Sequence, residues 1–179
     1  MTTSPADTTT STTPLTDIGL LILRIGLGAS MLYAGLRKAF DFSTTTGFME
    51  AGGWQPSTLA ALMVTAAETL GGVGLLLGVL TPLAACAVIA AMVDAWAVNV
   101  SAAAVWYDLF NAPFLIALGA TTLLFTGAGA LSLDARILGR TVWPARFAVG
   151  LLVIAIAAAI LTWILLNGTN PIHFSSPTS

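Results

Sequence analysis

The sequence predicts an all-α membrane protein: an antiparallel four-helix transmembrane bundle followed by a fifth, C-terminal transmembrane helix. Three observations predict it. Of 179 residues, 57% are hydrophobic and only 8% charged, with a mean hydropathy of +0.93, against roughly 25% charged and about 45–50% apolar in an ordinary soluble domain. The apolar residues gather in five stretches, each near the ~20 residues that a spanning helix needs. Those stretches are continuous rather than alternating, which argues helices and not barrel strands. A soluble enzyme and a disordered chain are thereby excluded, because a water-soluble fold of this size cannot hide so large an apolar excess. Six Lys and Arg against eight Asp and Glu leave no basic footprint, so nucleic acid is not an expected partner. The expected partner is the lipid bilayer.

Residues 1–16 form a Ser/Thr-rich tail, ten of the sixteen being Ser or Thr, and read as disordered. The tail lacks the basic region of a secretory signal, so the first apolar stretch is expected to be retained. The five predicted helices run Ile18–Leu36, Ser57–Leu80, Pro82–Val100, Phe110–Thr126 and Phe147–Leu166. Thr81–Pro82 reads as a tight turn that makes helices two and three an antiparallel hairpin. The loop Arg37–Pro56 carries Phe40, Phe42, Phe48 and Trp54, which suits a segment lying at the membrane interface. Residues 135–146 form a basic interfacial loop with Arg136, Arg140, Arg146 and Trp143, and residues 167–179 a polar tail. Three Arg on one side against Arg37 and Lys38 on the other favour a cytoplasmic N-terminus and an outside C-terminus.

Three ionisable residues fall inside the apolar stretches: Arg24, Glu68 and Asp94. Each costs about 2.5–3.5 kcal/mol at a helix centre, so each should face protein or water rather than lipid. Their helical faces carry small residues that allow close packing, among them Gly28 and Gly35 with Arg24, Gly72 with Glu68, and Ala90 and Ala91 with Asp94. A comparable stripe on the fourth helix is Ala112, Gly119, Thr122 and Thr126. Glu68 and Asp94 lie at equal distances on either side of Thr81, about 20 Å from it at 1.5 Å rise per residue. They should share one depth, near the bilayer midplane. One cation cannot neutralise two carboxylates, so Arg24 is expected to pair with Glu68 and Asp94 to carry a proton. The competing reading of all three is helix packing without chemistry. Cys86 and His173, the single cysteine and histidine, form no disulfide, dithiol or multi-ligand metal site. No metal is expected, and Cys86 reads as a packed small residue.

Three segments resemble the DoxX/DoxD-like integral membrane family. LRIGLGASMLYAGLRKAFDF carries Arg24, Gly28, Gly35 and Lys38 in the order that opens such proteins. AETLGGVGLLLGVLTP resembles the family's Glu-x-x-Gly-Gly segment through Glu68, Gly71 and Gly72. TGAGALSLD resembles its Gly-x-Gly-x-x-Ser-x-Asp ending through Gly127, Gly129, Ser132 and Asp134. The resemblance spans residues 17–134 and implies a four-helix membrane domain, with residues 147–166 an extra helix beyond it. It also implies association with membrane oxidoreductase assemblies. Many relatives place a histidine late in helix three, where this chain has Asp94 and Asn99.

The expected function is a DoxX-like inner-membrane subunit of a redox-linked complex. It would anchor membrane or peripheral protein partners and contact a quinone through Arg24, Glu68 and Asp94, with Lys38 and Asp134 at opposite membrane faces. No catalytic residue is assigned, and no catalytic activity is expected of the chain alone. Two alternatives stand beside it, a structural or assembly protein and a small proton-coupled transporter.

Overall fold

The computed structural model describes residues 14–175, so the tail up to residue 13 and the last four residues lie outside the described residues. The chain folds as α1 (Pro14–Phe40), α2 (Phe42–Ala51), α3 (Ser57–Leu77), α4 (Thr81–Ser101), a 3-10 turn (Val105–Tyr107), α5 (Ala112–Thr126), α6 (Leu133–Ile137) and α7 (Ala145–Leu166). Four of these, α1, α3, α4 and α7, are long and apolar enough to cross a membrane, and α5 is a shorter apolar helix. The fifteen residues of α5 span about 22 Å, less than the ~30 Å hydrocarbon core. The five predicted apolar helices are therefore present. The first is longer than its apolar stretch at both ends: Pro14, Leu15 and Thr16 are already helical, and the helix continues through Arg37 and Lys38 to Phe40.

Local chemistry sets the boundaries. Asp41 caps α2, its side chain accepting from Thr44 N at 3.3 Å, and Asn111 caps α5 by accepting from Phe114 N at 3.1 Å. The α3 C-terminus is a Schellman turn: Val79 N donates to Gly74 O at 3.0 Å and Gly78 N to Leu75 O at 3.2 Å. Gly78 takes a φ of 62° there, a left-handed conformation that favours glycine. Pro82 then opens α4, in the first turn, where a missing N–H costs nothing. The turn and the hairpin fall where Thr81–Pro82 predicts them.

Helix α4 is the centre of the bundle, with α3, α5 and α7 packed around it and α1 packed against α3. Close approach rests on the glycines. A Cβ on Gly72 would lie 2.5 Å from the Leu32 backbone nitrogen and 2.9 Å from Gly28 O, and one on Gly28 would lie 2.7 Å from Leu76 N. Gly35 sits as tightly against Thr69, and Gly71 and Gly74 bring α3 onto Val88 and Ala84 of α4. These small residues do the work of small-xxx-small packing between membrane helices. Because the obstacles at Gly72 are backbone atoms, Gly72→Ala is expected to force α1 and α3 apart and cost about 1–3 kcal/mol. A lower thermal midpoint in detergent checks this; an unchanged midpoint contradicts it.

One packing expectation needs correction. Helix α5 does not bury the Ala112, Gly119, Thr122, Thr126 stripe. It buries Ala120, Leu123 and Leu124, while Thr122 and Thr126 satisfy their hydroxyls on carbonyls one turn back, Leu118 O and Thr122 O. Back-bonding of this kind frees a helical threonine from needing a partner helix. Helix α7 docks on α4 through Ala148, Leu151, Ala155, Ala159 and Trp163, and the Cys86 thiol of α4 donates to Leu151 O at 3.4 Å. The described part of the C-terminal tail folds back over the bundle end, with Val105 N donating to His173 O at 2.8 Å and Trp106 Nε1 to Phe174 O at 3.2 Å.

Candidate functional site

The three buried charges do not form one centre. They divide between the two ends of the bundle. Helix α1 runs antiparallel to α3, so the level of Glu68 is reached by the C-terminal part of α1, not by Arg24. There Lys38 Nζ donates to Glu68 Oε2 at 2.6 Å. The Glu68 side chain is 4% exposed and that of Lys38 29%. The predicted Arg24–Glu68 pair is thus replaced by a Lys38–Glu68 pair, because the helix continues past Leu36 and carries a lysine inward. Lys38 and Asp134 do lie at opposite ends of the bundle.

Arg24 lies at the α3–α4 turn instead, fully buried. Its Nη2 donates to Leu131 O at 2.6 Å, and the charge facing it is that of Asp134. Asp134 holds both carboxylate oxygens on the start of α4, accepting from Leu80 N at 2.7 Å and Thr81 N at 2.9 Å. Its own backbone N–H donates to Gly78 O at 2.8 Å. Ser132 Oγ donates to Gly129 O at 2.7 Å and accepts from Ala135 N, capping α6. Asp17 accepts from Ala130 N at 2.8 Å, beside Gly129, whose φ of 74° leaves no room for a side chain against that carboxylate. The segment 127–134 is therefore a knot that joins α1, the α3–α4 turn and α6. Gly28, Gly35, Gly71, Gly72, Gly127, Gly129, Ser132 and Asp134 serve packing and this knot. Of the motif residues named above, only Lys38 and Glu68 reach the cavity.

That cavity, about 440 Å³, lies toward the α2 end of the bundle. Lys38, Glu68, Asp94, Asn99 and Thr162 give it a polar edge in an otherwise apolar lining of alanines, Met63, Val64, Phe48 and Trp54. Glu68 and Asp94 both face it, so the equal-depth arithmetic places two carboxylates on one site. Among the described residues, the side chains of Asp94, Asn99 and Thr162 have no hydrogen-bond or ion-pair partner. Asp94 and Thr162 are half-buried and Asn99 is exposed, so two unpaired groups edge the cavity in surroundings where polar groups are normally paired. Sequence reasoning missed Thr162, a lone threonine near the C-terminal end of the apolar helix α7. Trp54 lines the cavity and packs T-shaped on Trp163 of α7, ring centroids 5.2 Å apart.

A multi-pass helical membrane protein with an apolar cavity edged by one ion pair and a second carboxyl is the class that fold and site define. The DoxX family model matches residues 19–102, from the second turn of α1 to the end of α4. Over those residues the chain is similar to the DoxX family, and its apolar helices are those of a multi-pass membrane protein. Neither a comparison with curated proteins nor one with solved structures returned a match.

Proposed function

We propose that this protein is the membrane subunit of a redox-linked complex and that its cavity holds a quinone headgroup. The observation that carries the proposal is the polar edge of the 440 Å³ cavity, a volume within the ~300–1,000 Å³ of small-molecule pockets. The donor set suits a quinone. Lys38 would donate to a quinone carbonyl oxygen, and the Asp94 carboxyl and Thr162 hydroxyl would supply further hydrogen bonds to the ring oxygens. With one cysteine and one histidine, the chain lacks the ligand inventory of a haem or iron–sulfur chain, so a partner oxidoreductase supplies the electrons. The chain's own part is to bind, orient and exclude water. The three Arg in the segment from α6 to α7 favour an orientation with the Arg24 end in the cytoplasm and the cavity toward the outside of an inner membrane.

Purification from native membranes in mild detergent, followed by mass spectrometry of proteins and lipids, tests the reading. Expected are co-purified protein partners and a quinone. Asp94→Asn and Glu68→Gln should each leave the folded protein in the membrane and lower the quinone recovered by about tenfold, the equivalent of one charged hydrogen bond. Recovery of a lone, quinone-free wild-type protein overturns the proposal. Disappearance of both variants from the membrane assigns the carboxyls to packing.

A further inference from the structure

The route into the cavity follows from how the helices meet. Helices α3 and α7 both pack on α4, yet among the described residues they make no extensive contact with each other. The cavity therefore has α4 as its floor, where Ala87, Ala90 and Ala91 leave a trough. Met63 and Ala67 of α3 stand on one side, with Ala158 and Thr162 of α7 on the other. At the membrane surface the α2–α3 connection is tied to the C-terminal end of α7. Trp54 and Trp163 are 5% and 7% exposed. Gln55 N donates to Leu166 O at 2.6 Å and Asn167 Nδ2 to Gly52 O at 2.9 Å. The end nearest water is latched, and the gap that remains lies between two helices in the hydrocarbon region.

Resting on the quinone reading above, we propose that the cavity is loaded from the lipid phase through the gap between α3 and α7. Its occupant is a headgroup carried on a long apolar tail, and the tail lies in that gap. Volume supports this: 440 Å³ accommodates a substituted ring and a short length of chain but not a polyisoprenoid, so the remainder of the tail must leave the cavity. The gap offers it apolar walls, Met63 being 42% and Leu161 55% exposed at the helix margins. The polar edge meanwhile holds the ring on the α4 side. Helix α7, which lies beyond the residues matched by the family, becomes a wall that selects for tailed ligands.

Two probes separate headgroup from tail: a decyl-substituted dimethoxybenzoquinone and the same ring without the decyl chain. Binding to the detergent-purified full chain is read by the rise in thermal midpoint with ligand concentration. Wild type should bind the decyl probe at least about tenfold more tightly than the bare ring. Ala158→Phe, which fills the gap from α7, and Met63→Trp, which fills it from α3, should each remove most of that advantage. Ala157→Phe, one residue around the same helix and outside the cavity lining, should leave it intact. If both probes bind wild type equally and the gap-filling variants change nothing, lipid loading is wrong while the quinone reading stands. If neither probe binds wild type, the quinone reading itself fails and this inference with it.

Discussion

Asp134→Ala is expected to be among the most damaging single substitutions in the protein, costing about 3–5 kcal/mol of stability. The side chain is 1% exposed and accepts two backbone N–H groups, from Leu80 and Thr81, at the start of α4. Removing it orphans both donors in a place water does not reach. It also strips the fully buried Arg24 of the carboxylate that faces it, and an uncompensated buried charge is the costlier loss. Asp134→Asn keeps one acceptor oxygen and the volume, and should fall between wild type and alanine. Thermal unfolding in detergent, followed by loss of the monodisperse peak, provides the measurement. An alanine variant within about 1 kcal/mol of wild type would show that the knot is ornamental.

The second large effect concerns the ion pair at the cavity. Lys38→Met leaves Glu68, with a side chain 4% exposed, without its 2.6 Å partner. Because Lys38 itself is 29% exposed, part of its charge is screened, and about 2–3 kcal/mol is expected rather than the full cost for a wholly buried pair. Adding Glu68→Gln to the methionine variant removes the stranded charge. The double variant should therefore be more stable than Lys38→Met alone, a positive coupling that a double-mutant cycle reads directly. If the two substitutions simply add, Lys38 and Glu68 are neighbours without energetic coupling.

The helices and the three intramembrane charges were legible in the sequence because hydropathy and charge are written residue by residue. So was the shared depth of Glu68 and Asp94, since a tight turn at Thr81–Pro82 turns residue counting into distance. Partnerships were not legible. Arg24 was the cation within an apolar stretch and so the expected partner of Glu68, while the neighbouring Arg37 and Lys38 read locally as a helix end. Nothing short of the α1–α3 register shows that α1 carries Lys38 inward. Arg24 meets a backbone carbonyl of Leu131 more than a hundred residues away, and carbonyls leave no mark in a sequence. Helix α7 is similar: a run of alanines says that a helix packs closely, not against which neighbour. The unpaired hydroxyl of Thr162 acquires meaning only once α4 and α3 are beside it.

The docking of α7 also bears on how this site is assembled. The helix meets α4 through three alanines, Leu151, Trp163 and a thiol hydrogen bond, and it is joined to the preceding helices by a short segment after α6. Physically it behaves as a one-helix subunit that has been covalently tethered, its local concentration fixed by the linker and not by expression level. One wall of the cavity is thus supplied in fixed stoichiometry with the other helices of the bundle. The other helices then need no separate recruit to close the site on that flank, and any protein partner is left to dock elsewhere on the bundle.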